Sequence, residues 1–192
     1  MSFYIPFDFY TLNNDKAWLL GFIFADATIS KINGQNVIRI FNIDQGLLEE
    51  IKYHFVIPYK VGKQVNKTTT VYFLRFANPH FVDSVESYGF QKDRTDLTIP
   101  RMSSVHTRRF IQGFLKGKAS YFEEKESRNY GVKIIYRSNS FITEVAKYIA
   151  KTCNVKVANA HCRIIKNKTS CEIKYVGVES DKVHSFIESG LF

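Results

Sequence analysis

Two apolar segments of the chain, 92 positions apart, share one pattern of small and large residues. They are Trp18–Ala27 and Phe110–Ala119. Each is long enough for a helix and has two small residues four positions apart, which are Gly21 and Ala25 in the first segment and Gly113 and Gly117 in the second. A charged residue follows, Asp26 in the first segment and Lys118 in the second. The chain therefore contains an internal repeat whose two copies end in opposite charges.

The pattern after the first segment predicts two hairpins and two helices. Asn33-Gly34 is a strong hairpin-turn signal, and apolar residues at helical spacing follow it from Leu47 to Phe55. Pro58 ends that helix, and Pro79 begins the next one. The predicted elements are strands Thr28–Lys31 and Asn36–Ile43, a helix Asp44–Phe55, strands Lys60–Val65 and Thr69–Phe76, and a helix Pro79–Tyr88.

The same order is predicted after the second segment. The expected elements are strands Ser120–Glu123 and Tyr130–Tyr136, a helix Ser140–Thr152, strands Val155–Ile165 and Ser170–Val178, and a helix Asp181–Ser189. The fold class is therefore α+β, with two pseudo-symmetric αββαββα repeats in which helices cover one face of each antiparallel β-saddle. We expect a first repeat over residues 1–90, a polar linker over 91–104 and a second repeat over 105–192.

The small residues predict that the two motif helices pack against each other at the centre of the molecule. Residues four positions apart lie on one stripe of a helix, and small side chains there let another backbone approach closely. A glycine inside a helix costs about 1 kcal/mol relative to alanine, so glycines at matching positions favour a packing role. The expected contact residues are Gly21, Ala25, Gly113 and Gly117.

Composition favours a polyanionic partner. The formal net charge is +9 and the isoelectric point is near 9.4, which suits nucleic acid. No apolar stretch reaches the roughly 18 residues that a membrane span needs, so no membrane partner is expected. The start of the chain lacks the pattern of a secretory signal, and an intracellular protein is expected. The abundance of Phe, Tyr, Ile, Asn and Lys suggests an organellar or phage genome as a hypothesis.

The cysteines point to a reducing compartment. Cys153, Cys162 and Cys171 are odd in number and form no Cys-x-x-Cys pair, so free thiols are expected rather than a disulfide framework or a zinc finger. His161 and Cys162 are adjacent, and Cys171 is expected across their hairpin. Buried thiols beside a strand histidine are the favoured interpretation there, ahead of a metal cluster.

The repeated segments resemble a known motif. Leu19-Leu20-Gly21-Phe22-Ile23-Phe24-Ala25-Asp26-Ala27 is similar to the LAGLIDADG motif of homing endonucleases and maturases, and Phe110–Ala119 resembles its usual second copy. The segment from Gly89 to Pro100 resembles the linker that precedes that copy. The resemblance extends over nearly the whole chain and indicates a monomer with both repeats in one polypeptide.

The resemblance implies a mechanism for the ends of the motif helices. In the family, the last acidic residues of the two helices bind divalent cations, usually Mg²⁺, over the scissile phosphates of duplex DNA. Asp26 matches the acidic position and is the expected metal ligand and catalytic residue. Lys118 departs from it, because an ammonium group cannot bind Mg²⁺. We therefore expect cleavage to be impaired or reduced to nicking. Lys92 or Arg94 matches the linker region where the family often has a basic residue near the cleavage site, so both are candidate catalytic residues, with a solvated linker charge as the alternative.

Strand alternation predicts which side chains reach nucleic acid. If Tyr72, Leu74 and Phe76 face the helices, then Val71, Phe73 and Arg75 face outward, with Lys at the hairpin tips near phosphates. The candidate nucleic-acid-binding residues are Lys31, Arg39, Asn42, Lys63, Gln64, Lys67, Arg75, Lys133, Arg137, Lys156, Arg163, Lys166, Lys168 and Lys174.

A rival interpretation is a non-enzymatic descendant of the same fold. It would be an RNA-binding maturase, a ribonucleoprotein component or a DNA-binding regulator. Exposed aromatic residues, with Phe73 and Tyr175 as candidates, would suit stacking on the unpaired bases of structured RNA. A structural protein that keeps only the fold is a third alternative.

Overall fold

The computed structural model describes residues 8–65, 68–124, 129–165 and 168–190. Its elements follow the predicted order, with a motif helix, a hairpin, a helix, a hairpin and a helix in each repeat. The first repeat comprises α1 (Asn14–Asp26), β1 (Ala27–Ile32), β2 (Gln35–Asn42), α2 (Gln45–His54), β3 (Gly62–Val65), β4 (Thr70–Phe76) and α3 (Pro79–Glu86). The second repeat comprises α4 (Ser104–Lys118), β5 (Ala119–Glu124), β6 (Asn129–Tyr136), α5 (Asn139–Cys153), β7 (His161–Ile165), β8 (Lys168–Val176) and α6 (Val178–Glu188).

Two four-stranded antiparallel sheets have the same strand order, β1-β2-β4-β3 and β5-β6-β8-β7. The turn between β1 and β2 has positive φ at both Asn33 and Gly34, as the Asn-Gly signal predicts for a type I′ turn. The expected α+β class with two repeats is confirmed.

The chain divides into two compact units that differ from the sequence repeats. The first unit comprises Asp26–Tyr88 with the described residues up to Thr11, and the second comprises Leu12–Ala25 and Gly89–Phe192. In the first unit, α2 and α3 cover one face of the first sheet. In the second, α4, α5 and α6 cover one face of the second sheet. The motif helix α1 belongs almost wholly to the second unit.

Aromatic side chains dominate the core of the second unit. Phe24 of α1 lies 5.1 Å, centroid to centroid, from Phe110 of α4, and Phe114 lies 4.9 Å from Phe141 of α5. The ring of Tyr136 is 5.1 Å from that of Phe114. All five side chains are buried, so α1, α4, α5 and β6 share one aromatic core.

The last hairpin and helix differ from the predicted bounds. β7 begins at His161 rather than Val155. The chain leaves α5 through Asn154 in the left-handed conformation, and the Lys156 N–H then donates to the Glu179 carboxylate instead of joining the sheet. β8 ends at Val176, because Gly177 with φ of 55° redirects the chain into α6.

The expectation of free thiols is wrong for two of the three cysteines. Cys162 and Cys171 form a disulfide, with their Cα atoms 4.0 Å apart. The register of β7 and β8 sets these residues directly opposite one another on the helix-covered side, which brings the sulfur atoms within bonding reach. Cys153 is the free cysteine among the described residues.

The expectation that Tyr175 is exposed is also wrong. Tyr175 pairs with Val132 on the helix-covered face of the second sheet and is 1% exposed. Burial raises the pKa of its phenol, with smaller contributions from Cys153 and Glu179. Tyr175 therefore belongs to the core and cannot stack on a base.

Among the described residues, none of the helices has the length and apolar character needed to cross a membrane.

Candidate nucleic-acid interface

The motif helices α1 and α4 approach each other at two glycines. A Cβ atom at Gly21 would overlap the carbonyl oxygen of Phe110 and lie 2.9 Å from the Phe114 nitrogen. A Cβ atom at Gly113 would overlap the carbonyl oxygen of Trp18. Because the obstructing atoms belong to the backbone, no side-chain rotation would make room. Glycine is therefore required at both positions for the helices to pack this closely.

The second pair of small residues makes a looser contact. A Cβ atom at Gly117 would lie 2.7 Å from the Cβ atom of Ala25 and 3.2 Å from the ring of Phe22. The Phe22 ring can rotate aside, whereas the Ala25 Cβ atom is fixed by the backbone of α1. The structure thus brings together all four small residues selected from the sequence, with the closest approach at the two glycines nearer the helix N-termini.

Asp26 is the last residue of α1, and two side chains remote in sequence donate hydrogen bonds to the carbonyl groups just before it. The Tyr136 hydroxyl donates to the carbonyl oxygen of Phe24 at 2.7 Å, and Arg94 Nη1 donates to that of Ala25 at 3.0 Å. The Arg94 guanidinium also lies 5.5 Å from the Phe90 ring centroid. The last turn of α1 has no basic residue of its own. These two donors therefore satisfy carbonyl groups that a helix end leaves without intrahelical partners.

Lys118 is the last residue of α4, whose final turn is basic. Lys116 Nζ lies 3.0 Å from Glu188 Oε1, and the Ala119 N–H donates to the Leu115 carbonyl oxygen. Cations are favourable at a helix C-terminus, so Lys118 suits its helix electrostatically where an acid would not. The repeat thus has an acid at the end of one motif helix and a cation at the end of the other.

The metal site that the motif implies would need one acid from each motif helix, and α1 supplies Asp26 whereas α4 ends in Lys118. The described residues contain no group of three or more His, Cys, Asp or Glu side chains able to hold a metal ion. One carboxylate can bind Mg²⁺ together with water and phosphate oxygens, so Asp26 fits that role. Lys118 does not fit it. Lys92, the other linker cation predicted, is exposed.

The face of the first sheet that its helices leave uncovered has two arginines directly opposite each other. Arg39 of β2 pairs with Arg75 of β4, and Thr28 of β1 continues the same row. Like charges directly opposite on neighbouring strands destabilise a sheet. Arg75 is exposed, and Arg39 lies with its guanidinium carbon 6.0 Å from the Phe73 ring centroid. The predicted outward direction of Arg75 agrees with this register.

The second sheet repeats the arrangement with lysines. Lys133 of β6 pairs with Lys174 of β8, and Ser120 of β5 continues the row. Their Nζ atoms lie 5.9 Å and 5.5 Å from the Phe122 ring centroid. Glu172 lies 3.4 Å from Lys174 and partly offsets the charge. Each sheet therefore presents one opposed pair of cations beside an aromatic ring.

The remaining predicted basic and polar residues fall into three groups. Those whose register points them to the uncovered faces are Gln64, Arg163 and Lys168. Those on the helix-side register or outside the ladders are Lys31, Asn42, Lys63, Arg137 and Lys156. The Asn42 side chain accepts a hydrogen bond from the Asp44 N–H at 2.8 Å. The predicted residues Lys67 and Lys166 lie outside the described residues.

Sequence reasoning missed Phe122 and Tyr136 as parts of this region. Phe122 alternates with Tyr121 along β5, and the parity of that strand could have identified it as outward-facing. Tyr136 ends β6 on the covered face, and nothing in the sequence indicates that its hydroxyl reaches α1. Its role depends on tertiary packing.

A small pocket of about 150 Å³ lies on the covered side of the second sheet. The Tyr121 hydroxyl is 2.6 Å from His184 Nδ1, and the Tyr130 hydroxyl donates to Asp181 at 3.0 Å. Burial and the charge of Glu188 raise the pKa of Tyr121, and the hydrogen bond and charge of Asp181 raise the pKa of Tyr130. Both phenols therefore stay neutral at physiological pH and make no contribution to the charge of the uncovered face.

No protein-family model and no curated protein sequence matches the chain. Solved structures do. The chain is similar to the I-LtrWI LAGLIDADG homing endonuclease bound to target DNA, at 12% identity over 92% of this chain and 82% of that one, with a TM-score of 0.53. It is similar to I-DmoI in complex with DNA and Mn, at 15% identity over 93% and 98% of the chains, with a TM-score of 0.52.

A third similar structure is full-length DUF199/WhiA from Thermatoga maritima. The identity is 14% over 97% of this chain and 57% of that one, with a TM-score of 0.57. At these identities the likeness concerns architecture, and it agrees with the repeated motif, the glycine contact of α1 with α4 and the matching strand orders. The protein has the two-repeat LAGLIDADG fold.

Proposed function

We propose that this protein binds a long duplex DNA site through the uncovered faces of its two sheets. The opposed cation pairs, Arg39 with Arg75 and Lys133 with Lys174, carry the proposal, because like charges directly opposite each other are unfavourable for a sheet and a bound anion would relieve the repulsion that remains after Glu172 offsets part of the charge of Lys174. Arginine suits bidentate contact with phosphates or guanine edges, and lysine suits phosphate contact. The DNA complexes of proteins with this fold support the same use of the chain. With both motif copies in one polypeptide, it acts as a monomer.

Cleavage by this protein is impaired or reduced to nicking. The motif resemblance assigns Asp26 to a divalent metal site, and Mg²⁺ bound there would activate water and stabilise the leaving oxygen. Lys118 holds a positive charge at the position of the second acid, which opposes metal binding there. Arg94 donates to the carbonyl group next to Asp26 and thereby fixes the end of the helix that bears the carboxylate. Its role is one of positioning.

One observation favours a second candidate, a nucleic-acid-binding protein without enzymatic activity. The cation that replaces an acid at the end of α4 is favourable for that helix, so its presence needs no catalytic reason. A maturase, ribonucleoprotein component or DNA-binding regulator would keep the sheets and dispense with the metal. Structured RNA is the alternative ligand in that case.

Binding is tested by measuring the affinity for random-sequence duplex DNA and for structured RNA between 50 and 300 mM salt. We expect preference for the duplex and a steep fall of affinity with salt. Arg39→Gln with Arg75→Gln should reduce the log–log salt slope by about 2, one per lost contact. The matched control is Lys147→Gln with Lys151→Gln on α5, two exposed lysines outside the sheets, which should leave the slope unchanged. Absence of binding to both nucleic acids would refute the proposal, and preference for RNA would support the second candidate.

Cleavage is tested on a supercoiled plasmid carrying a site selected from a random duplex library. In Mg²⁺, the natural chain should yield no linear product and at most nicked circles. Lys118→Asp should gain Asp26-dependent cutting, while the neutral control Lys118→Gln should not. Efficient linearisation by the natural chain would show that Lys118 does not impair cleavage.

A further inference from the structure

Each uncovered sheet face has a phenylalanine ring lying over a glycine on the neighbouring strand. Phe73 of β4 is directly opposite Gly62 of β3, and Phe122 of β5 is directly opposite Gly131 of β6. A Cβ atom at Gly62 would lie 2.7 Å from Phe73 Cε2, and one at Gly131 would lie 2.7 Å from Phe122 Cζ and would also overlap the backbone carbonyl oxygen of Tyr175. Each ring therefore occupies the space that a side chain on the opposite strand would fill, an arrangement known to compensate glycines in sheets.

The two rings are not copies produced by the repeat. Phe73 is on the fourth strand of its sheet in chain order, whereas Phe122 is on the first strand of the other. The repeat equivalents are different residues: Glu172 corresponds to Phe73, and Ser30 corresponds to Phe122, as the registers around the cation pairs show. The same combination of ring, glycine and cations thus occurs at non-equivalent strands of the two sheets. This favours a functional role for the rings on the uncovered faces.

Packing over the glycine covers only part of each ring. Phe73 and Phe122 are both half-buried, on faces that the helices leave uncovered and beside cations. Phe41 touches Phe73, with 5.9 Å between the ring centroids, and extends the apolar surface of the first sheet. These rings lie among the cations proposed to bind phosphates, so nucleic acid bound there would exclude water from them. That burial is favourable only if the nucleic acid places an apolar group against the rings.

Paired DNA offers one such group in the major groove, the C5-methyl of thymine. Bases in an intact duplex show their edges, not their faces, so a ring lying on a sheet in the groove meets methyl groups and cannot stack on a base. We propose that Phe73 and Phe122 are specificity-determining residues that contact thymine methyl groups in the bound duplex. This inference rests on the proposed duplex binding.

The test changes the DNA and leaves the protein intact. Duplexes that bind the full chain are selected from a random library, and each thymine of a selected site is replaced in turn by deoxyuridine, which lacks only the methyl group. At positions facing the rings we expect affinity to fall about threefold to tenfold per methyl removed. Replacement at other positions should have little effect.

Protein variants assign each sensitive position to a ring. Phe122→Ser should remove the deoxyuridine effect at one group of positions, and Phe73→Ser at another, whereas Phe122→Leu should retain part of it. The matched control is Tyr53→Ser, which removes an 89% exposed aromatic ring from α2, a helix on the covered face of the first sheet. It should leave every deoxyuridine effect in place.

The outcomes separate this inference from the proposed function. Duplex binding that is indifferent to deoxyuridine at every position would overturn the inference while the proposed function stands. Absence of duplex binding would refute both. Tighter binding to single strands than to duplexes, lost in Phe122→Ser, would mean that the rings stack on unpaired bases, and this would also overturn it.

Discussion

The two motif helices make the same close contact with each other, yet they end in different ways. The carbonyl groups at the end of α1 accept hydrogen bonds from Tyr136 and Arg94, side chains 112 and 69 positions away in the sequence. The end of α4 has its own cations, Lys116 and Lys118. An acid at a helix C-terminus is electrostatically unfavourable, so α1 needs donors from elsewhere to end in Asp26. Other elements of the fold therefore stabilise the acidic end of α1, whereas α4 ends in cations that favour its own C-terminus without outside help.

The largest expected effect concerns the glycines at which α1 and α4 contact each other. Gly21→Ala or Gly113→Ala should lower the free energy of unfolding by at least about 3 kcal/mol, because the new methyl group would overlap a backbone carbonyl and force the helices apart. Gly117→Ala should cost less, about 1 to 2 kcal/mol, because its overlap with the Ala25 Cβ atom is smaller than an overlap with a carbonyl oxygen and the Phe22 ring can rotate aside. Chemical denaturation of the three variants gives the measurement. Equal losses would contradict the backbone-contact explanation.

A control for this series is available in α2. Gly46 is in the first turn of that helix, and a Cβ atom there would meet only Asp44 Oδ1, at 3.2 Å. Gly46→Ala should change the free energy of unfolding by no more than about 0.5 kcal/mol, because the gain of alanine over glycine in a helix offsets a small displacement of the Asp44 carboxylate, which caps α2 at the Leu47 N–H. A loss as large as that of Gly113→Ala would mean that alanine is harmful at any helical glycine of this protein.

The next largest effect concerns the disulfide, which is present in the last hairpin of the second repeat and absent from that of the first. The β7–β8 hairpin has the Cys162–Cys171 disulfide, whereas strands β3 and β4 of the equivalent hairpin in the first repeat have no cysteine. Closing a loop of this length removes unfolded-state entropy, so reduction should lower the free energy of unfolding by about 2 to 3 kcal/mol. Denaturation with and without a reductant measures it, and Cys162→Ser with Cys171→Ser is the control that should show no response. A stability that ignores the reductant in the natural chain would contradict the prediction.

Much of the fold could be predicted from the sequence, because its signals are local. The Asn33-Gly34 turn and the spacing of the small residues in the two motif segments are sufficient to predict element types and their repetition. Cys171 could be placed across the hairpin from Cys162, but the disulfide was missed, because an odd number of cysteines favours free thiols and a direct pairing depends on the exact register, which the turn conformation sets.

The candidate site divides in the same way. The cation positions Arg75 and Lys174 follow from strand alternation, which has a period of two residues. The donors to the end of α1 do not, because Tyr136 and Arg94 reach it only through the packing of elements distant in sequence. Lys118 is different again: its identity is visible in the sequence, and its consequence for cleavage stays a prediction.

A smaller effect is expected when α1 loses one of the two side-chain donors that distinguish its end from that of α4. Tyr136→Phe removes the hydroxyl that donates to Phe24 and leaves a buried carbonyl oxygen without that donor, so it should cost about 2 kcal/mol. Tyr88→Phe removes a similar bond to Phe9, at 3.2 Å and only partly buried, and should cost less than about 1 kcal/mol. Thermal denaturation compares the pair. If Asp26 depends on the intact helix end, Tyr136→Phe should also weaken any cutting gained in Lys118→Asp.

The smallest effect appears only at high pH and separates equivalent core positions of the two repeats. Tyr175 occupies the position in the second sheet that Phe76 has in the first, and burial raises its pKa above the usual value of 10. Above pH 10 the unfolded chain loses the phenolic proton while the folded chain keeps it, so stability falls as pH rises, by up to about 1.4 kcal/mol per pH unit. Tyr175→Phe should remove the contribution of this phenol to the fall of stability between pH 10 and 11.5. It should leave the pH dependence of stability below pH 9 unchanged. Because Phe76 has no proton to lose, Phe76→Leu should leave the slope above pH 10 as it is in the natural chain. An identical slope in Tyr175→Phe would mean that other groups govern alkaline unfolding.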